Sequence, residues 1–231
     1  MRTSKLRWTF AAAVALGLAS QTKAATTDNL MHLANTGGSL TIGDKTFSNF
    51  DFLASGLTSF DASQIRVTAS LANGTYFLTW AGNISLVSGS GPISAELLLN
   101  YRVAAATGTI NMIDQSYTGS AQPTGGAFLA IDETVRDTNG NLVANSHLDA
   151  NDLSDPSAEP GDNLTINPAQ SVIDVTKDIA FGIVNGGFVS VSEIRQSFDQ
   201  IPEAGTTSML VVGLAIVGFV IRQKVRPKLP L

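Results

Sequence analysis

Glu133 is the residue with the most direct claim to chemistry. It stands in Ile131-Asp132-Glu133-Thr134-Val135, an alternating run that reads as a strand. Glycoside hydrolysis uses two carboxylates whose separation is spatial, so the chain cannot display the pair as a spacing. Glu133 is the candidate member of such a pair, although a solvent-facing strand position is the ordinary expectation for it. The two histidines, His32 and His147, are too few for a zinc cluster, and a Ser-His-Asp triad would have to use one of them. His147 lies near Asp149, but no G-x-S-x-G elbow accompanies it, and a solvated strand end is expected. Gly38, Gly43, Lys45 and Thr46 almost spell a phosphate loop. Asp44 interrupts the Gly-Lys step with a carboxylate, and no helix pattern follows to offer its N-terminus, so a strand leading into a turn is expected instead. Asp149, Asp152, Asp155, Glu159 and Asp162 supply oxygen ligands of the kind Ca²⁺ takes, but their spacing is not that of an EF-hand, and an acidic surface loop is expected. The chain has no cysteine, which removes disulfides, thiolate metal sites and thiol nucleophiles. No catalytic residue, metal or cofactor is assigned on these grounds, and a non-enzymatic protein is expected.

The elements that would carry these residues are strands. Period-two alternation runs through Ser39–Thr46, Gln64–Ala69, Gly74–Trp80, Leu97–Val103, Thr109–Ile113, Ser171–Ile179 and Phe188–Ile194. Turn signals stand between them: Asn35-Thr36-Gly37-Gly38, Ala72-Asn73-Gly74, Ser88 to Pro92, Thr124-Gly125-Gly126, Asn139-Gly140 and Asn185-Gly186-Gly187. Asn139-Gly140 is the strongest hairpin signal, with both residues suited to the positive φ of a type I′ turn. Helical periodicity is almost absent. The expected fold is all-β, an antiparallel β-sandwich of jelly-roll or Ig-like type, with a long polar surface loop over Asp149–Asn167.

The two ends differ from this middle. Between Ala25 and Gln200 there are 18 Asp and Glu against six Lys and Arg, and the other eight basic residues lie outside that span. So acidic a middle repels phosphate backbones, which argues against nucleic acid as a partner. At the start, Arg2, Lys5 and Arg7 precede an apolar stretch, Trp8 to Ala19, and then Thr22-Lys23-Ala24; this is the three-part form of a signal peptide, with cleavage expected between Ala24 and Ala25. At the other end the 18 residues from Ala204 to Ile221 carry no charge. As a helix they reach about 27 Å, close to the hydrocarbon thickness of a bilayer. Arg222, Lys224, Arg226 and Lys228 follow as a basic stop that stays cytoplasmic. The expected organisation is therefore a signal peptide at 1–24, an extracytoplasmic β-sandwich at 25–200, and a tail at 201–231 with a transmembrane helix over about 206–221.

Just ahead of the apolar stretch stands Ile201-Pro202-Glu203-Ala204-Gly205-Thr206-Thr207, in which Pro202 and Gly205 disfavour regular structure. With the apolar run and basic end, this tail resembles that of bacterial PEP-CTERM proteins. It is nearest to the Val-Pro-Asp-Ser-Gly variant, with Ala204 where the Pro-Glu-Pro form has its second proline. "LTIGDKTFSNFDF", "YRVAA", Ile131 to Val135 and "SVSEIRQSFDQIPEAG" resemble strings of the same family in the same order. The resemblance implies an exosortase-type processing enzyme as partner, a transient inner-membrane intermediate, and a final place at the bacterial cell surface or in the extracellular matrix with exopolysaccharide. Two other readings stand beside it. One is a carbohydrate- or calcium-assisted adhesive module with Trp80, Tyr76 and Tyr101 as a stacking face, although the buried core is the ordinary expectation for these three. The other is a secreted carboxylate-dependent hydrolase.

Overall fold

The computed structural model describes residues 24–121, 126–150 and 161–201. The expected signal segment, the expected sorting motif from Pro202 onward, the expected transmembrane helix and the expected basic stop lie outside the described residues. Among the described residues no helix is long and apolar enough to cross a membrane. Ala24 and Ala25 are exposed and lead directly into the first strand, and Ile201 closes the last.

Two six-stranded antiparallel sheets face each other. The first holds β1 (Thr26–Asn29), β4 (Arg66–Ala72), β5 (Thr75–Ser88), β12 (Gly187–Ile201), β7 (Thr109–Ala121) and β10 (Gly161–Gln170), in that spatial order. The second holds β2 (Leu40–Ile42), β3 (Lys45–Ser55), β6 (Ile93–Ala105), β11 (Val172–Ile183), β8 (Phe128–Arg136) and β9 (Leu142–Ala150). From β5 onward the chain changes sheet at almost every connection, the β8–β9 hairpin excepted, which is the alternation of a jelly roll. The antiparallel sandwich is thus as its alternation and Gly-rich turns imply.

Three local expectations change. The helix α1 (Leu30–Thr36) had no periodic signal because it is barely two turns long. Its limits are nonetheless chemical: the Asn29 side chain caps its start by accepting from the His32 N–H, and Gly37 closes it at φ 64°. At Asn139-Gly140 the turn is not type I′, since Gly140 takes positive φ and Asn139 does not. Asp137 organises it instead, its Oδ1 accepting from the backbone N–H of both Asn139 and Asn141. Type I′ geometry occurs at Asn73-Gly74, where φ is 53° and 87°. The polar loop is also shorter than expected, because β9 extends to Ala150 and β10 begins at Gly161. Alternation in β10 is masked by polar residues that face outward at a sheet edge.

The core lies between the sheets. Trp80 and Phe198 from the first meet Tyr101 and Phe47 from the second, with ring centroids 5.1 Å apart for Trp80–Tyr101 and 5.3 Å for Phe47–Phe198. All four side chains are buried. Trp80, Tyr76 and Tyr101 are thus core residues, their ordinary place, and do not form a stacking face.

The would-be phosphate loop is the β2–β3 hairpin. Gly43 turns at φ 61° directly over the Tyr76 ring, where a Cβ would come within 2.7 Å of it. Lys45 is fully buried with its ammonium 4.4 Å from the centre of that ring and 2.9 Å from Asp44 Oδ1. Burial alone would raise the Asp44 carboxyl, but hydrogen bonds from Tyr76, Lys45 and Thr107 and the Lys45 charge outweigh it and bring it from 3.8 to about 2. A carboxyl depressed in the folded state stabilises the fold above its unfolded value and loses that contribution as pH falls through the folded one. With the Asp44 side chain 17% exposed, the contribution is about 1–2 kcal/mol after solvent screening. Acid titration of stability between about pH 4 and 2 is therefore expected to flatten in Asp44→Asn, measured by urea unfolding at each pH. Equal acid slopes in the two proteins would remove Asp44 from that role.

Candidate ligand-binding cleft

The outer face of the second sheet carries the candidate site. Alternation in β6, β11 and β8 sends Leu97, Leu99, Ile179, Phe181, Leu129 and Ile131 inward, and so sends Glu96, Asp178, Asp132 and Phe128 outward. Register then decides which of these meet. Asp178 is the direct cross-strand partner of Asp132, and Gly182 is the partner of both Ser94 and Phe128. A cleft of about 430 Å³ opens here, lined by Ser55, Ser94, Glu96, Phe128, Asp178 and Ala180, with Ala95 and Phe181 at its base.

Phe128 owes its position to Gly182. A Cβ on Gly182 would fall 1.9 Å from the Phe128 ring, so the ring lies across the bare backbone of β11. Ala180, next on the same face, keeps the floor low. The ring retains 36% of its surface in solvent, an apolar plate at the edge of a polar cleft.

The cleft's acids form a coupled group. Burial raises the Asp178 carboxyl, the charges of Glu96 and Asp132 raise it further, and a hydrogen bond with Glu96 adds to the effect. Ionised Asp178 is thus disfavoured in the folded protein, so the stability it contributes is lost as pH rises through its folded pKa. Asp178→Asn is expected to stabilise the protein at neutral pH by about 0.5–1 kcal/mol while weakening any ligand that uses the carboxylate. Thermal unfolding at pH 7 checks this, and a lowered midpoint would mean that Asp178 is a structural residue. Beyond Asp132, His147 Nδ1 lies 2.7 Å from Asp132 Oδ1 on the same face, with both side chains more than half exposed. His147 is thus a solvated strand residue with a carboxylate partner. His32 pairs likewise with Asp28 at 2.7 Å, far from the cleft in the chain's order of strands.

Glu133 is elsewhere, and the solvent-facing expectation for it fails. One residue along from Asp132, it points inward and is only 1% exposed. There it pairs with the fully buried Lys177, its direct cross-strand neighbour. From the opposite sheet the adjacent pair Gln115 and Gln196 completes the group. Lys177 Nζ donates to Gln115 Oε1 at 2.8 Å, and Gln196 Nε2 donates to Glu133 Oε1 at 3.3 Å. Buried and paired with Lys177, Glu133 does not face the cleft. Alternation alone could have assigned Glu133 and Lys177 to the inner face, since each has apolar neighbours two residues away on both sides. Phe128 and Gly182 had no signal, because what joins them is cross-strand register.

Among the described residues no group of three His, Cys, Asp or Glu could hold a metal ion. Of the acidic stretch considered for Ca²⁺, residues 151–160 lie outside the described residues.

No protein-family model matches the chain, and no curated protein sequence does. Several solved structures are similar in fold. One is TmCBM61 in complex with β-1,4-galactotriose, at TM-score 0.32 and 12% identity, covering 66% of this chain and 88% of that one. Another is the glycosylation-associated protein Gap123 complex from Streptococcus agalactiae, at TM-score 0.30 and 11% identity, covering 71% of this chain and 27% of that one. A third is the VP2 subviral particle of infectious bursal disease virus, at TM-score 0.29 and 12% identity, covering 75% and 51%. These scores are low, and the reading of the cleft rests on its own residues.

Proposed function

We propose that this chain is a non-enzymatic, exported β-sandwich protein that binds a neutral glycan in the cleft on its second sheet. The observation that carries the reading is the Phe128 plate laid over Gly182 beside Ser55, Ser94, Glu96 and Asp178. A pyranose presents an apolar face of C–H groups and a rim of hydroxyls. The plate suits the first; carboxylates and serine hydroxyls, which accept and donate, suit the second. The acids also set a preference: Glu96, Asp178 and Asp132 repel uronates and sulfated sugars. The acidic charge of the whole middle acts in the same sense.

In this reading the tail delivers the binding domain. Its likeness to PEP-CTERM tails makes an exosortase-type enzyme the processing partner and extracellular polysaccharide the glycan. The inner membrane is then a temporary stop. The mass of the C-terminal peptide from native surface material tests delivery: an end between Pro202 and Thr207 supports processing, and an end at Leu231 makes the tail a lasting anchor.

Calorimetry with a panel of neutral, uronic and amino oligosaccharides tests the cleft. Binding of a neutral member is expected, weakened about tenfold or more by Phe128→Ala. Gly182→Ala is expected to do nearly the same, because the added Cβ displaces the ring while the ring's free edge allows the fold to absorb it. Recovery of the oligosaccharides uncleaved is expected. No heat with any neutral glycan, or equal affinity in all three proteins, would sink the cleft as the site.

A further inference from the structure

We infer that Lys177 and Gln115 become joined by an intramolecular isopeptide bond that ties the two sheets together, with Glu133 as the acid–base group that makes it. The inference concerns the interior of the sandwich and does not depend on what the outer cleft binds.

Four polar side chains meet in an apolar core, and as a structural network they are poor. Lys177, Glu133, Gln115 and Gln196 are each at most 2% exposed, and a buried ion pair costs as much in lost hydration as it returns. The network is also incomplete. Gln196 Oε1 and the neighbouring Tyr101 hydroxyl, both buried, find no hydrogen-bond partner among the described residues. As a reaction site the same residues are complete. Lys177 supplies a nitrogen nucleophile, Gln115 an acyl carbon, and Glu133 a carboxylate on the attacking atom.

The positions suit attack. Lys177 Nζ lies 2.8 Å from Gln115 Oε1, so the acyl carbon is one bond beyond the hydrogen-bonded oxygen. Glu133 Oε2 is hydrogen-bonded to the same Nζ. The departing nitrogen, Gln115 Nε2, donates to Ser146 Oγ at 2.8 Å, and Ser146 is partly exposed on the edge strand β9. Desolvation pushes the Lys177 ammonium down, against the Glu133 and Asp162 charges that favour it, which eases its conversion to the free amine.

The step balances without an added reactant. The Lys177 ammonium passes a proton to Glu133, leaving a neutral amine and a carboxylic acid. The amine lone pair forms the N–C bond to the Gln115 carbonyl carbon, and the C=O π pair moves to Oε1. The proton from Glu133 goes to Nε2 while the attacking nitrogen returns one to Glu133. The pair on Oε1 re-forms the C=O bond, and the C–Nε2 bond breaks. Ammonia leaves, a secondary amide remains, and Glu133 ends as a neutral acid. A buried ion pair is thereby replaced by two neutral groups, which favours the product. Glu133 is not assigned as the acyl partner, because that would leave the reaction with no acid–base group at the lysine.

A tryptic map of the denatured full-length protein, read by mass spectrometry, tests this. The expected result is one branched product joining Val103–Arg136 to Asp137–Arg195, uncut after Lys177 and lighter than its two parts by one ammonia. Fragment ions place the branch at Gln115. Glu133→Gln is expected to yield the two parts unlinked, with the circular dichroism of the parent retained. Linear peptides cut after Lys177 in the parent protein overturn the inference. So does a branch at Glu133 with loss of water. The parent map alone decides the matter even if the variant does not fold.

Discussion

Lys177→Met is expected to lower the free energy of unfolding by at least about 3 kcal/mol, because without the lysine there is neither a tie to Gln115 nor a cation beside the buried Glu133 carboxyl group. Lys177 is fully buried, and Glu133 keeps only the Gln196 amide, 3.3 Å away. No side chain can turn to water at that depth. Lys177→Met combined with Glu133→Leu removes both charges at similar volume and is expected to recover the charge component. It does not recover a covalent tie. Lys177 and Gln115 are 62 residues apart, and a tie closing such a loop contributes about 4 kcal/mol through the unfolded chain. Urea unfolding of the three proteins separates the two contributions. Full recovery in the double variant would leave the ion pair alone responsible, and a single variant as stable as the parent would remove the site from the protein's stability altogether.

Trp80→Ala is expected to cost about 3–5 kcal/mol and to leave glycan affinity unchanged. The Trp80 ring is 1% exposed and packs on Tyr101, which in turn meets Phe198 edge-on at 6.4 Å. Its removal opens a cavity where both sheets contribute side chains, and strands held on each side by backbone pairing have little freedom to collapse into it. Its position between the sheets keeps it out of the cleft, which lies on the opposite face of the second sheet. Thermal unfolding and calorimetry below the lowered midpoint check both halves. A loss of affinity with unchanged stability would reverse the assignment and make Trp80 a contact residue. Together with Phe128→Ala, this substitution distinguishes the aromatic that holds the fold from the aromatic offered to a ligand.

Much of the strand content was legible. The runs at Gln64–Ala69, Leu97–Val103 and Phe188–Ile194 each fall largely within an observed strand, because one face of each meets the core and period two records that contact directly. Misses occurred where a stronger local interaction replaced a propensity. Asp137 took over the turn at Asn139-Gly140, and Asn29 with Gly37 bounded a helix too short to show a period. Polar residues hid β10, since an edge strand need bury little. The candidate site was hardly legible. Alternation with Ile131 and Val135 puts Glu133 on the inner face, against the ordinary expectation that a single charged residue in a strand faces water.

Composition and order along the chain determined the class of the molecule. They set the absence of thiol chemistry, the acidic middle with basic ends, the succession of strands and glycine turns, and the resemblance of the tail to a sorting signal. Tertiary structure decided which residues act together. Lys177 meets Glu133 through the pairing of β11 with β8, and meets Gln115 only because two sheets stack face to face. Phe128 covers Gly182 through the same β11–β8 register, 54 positions apart in the chain. Such meetings are set by strand order and sheet stacking, which depend on the whole set of long-range pairings rather than on any local run of residues. A local pattern can say that a side chain faces inward; only the stacked sheets say what it faces.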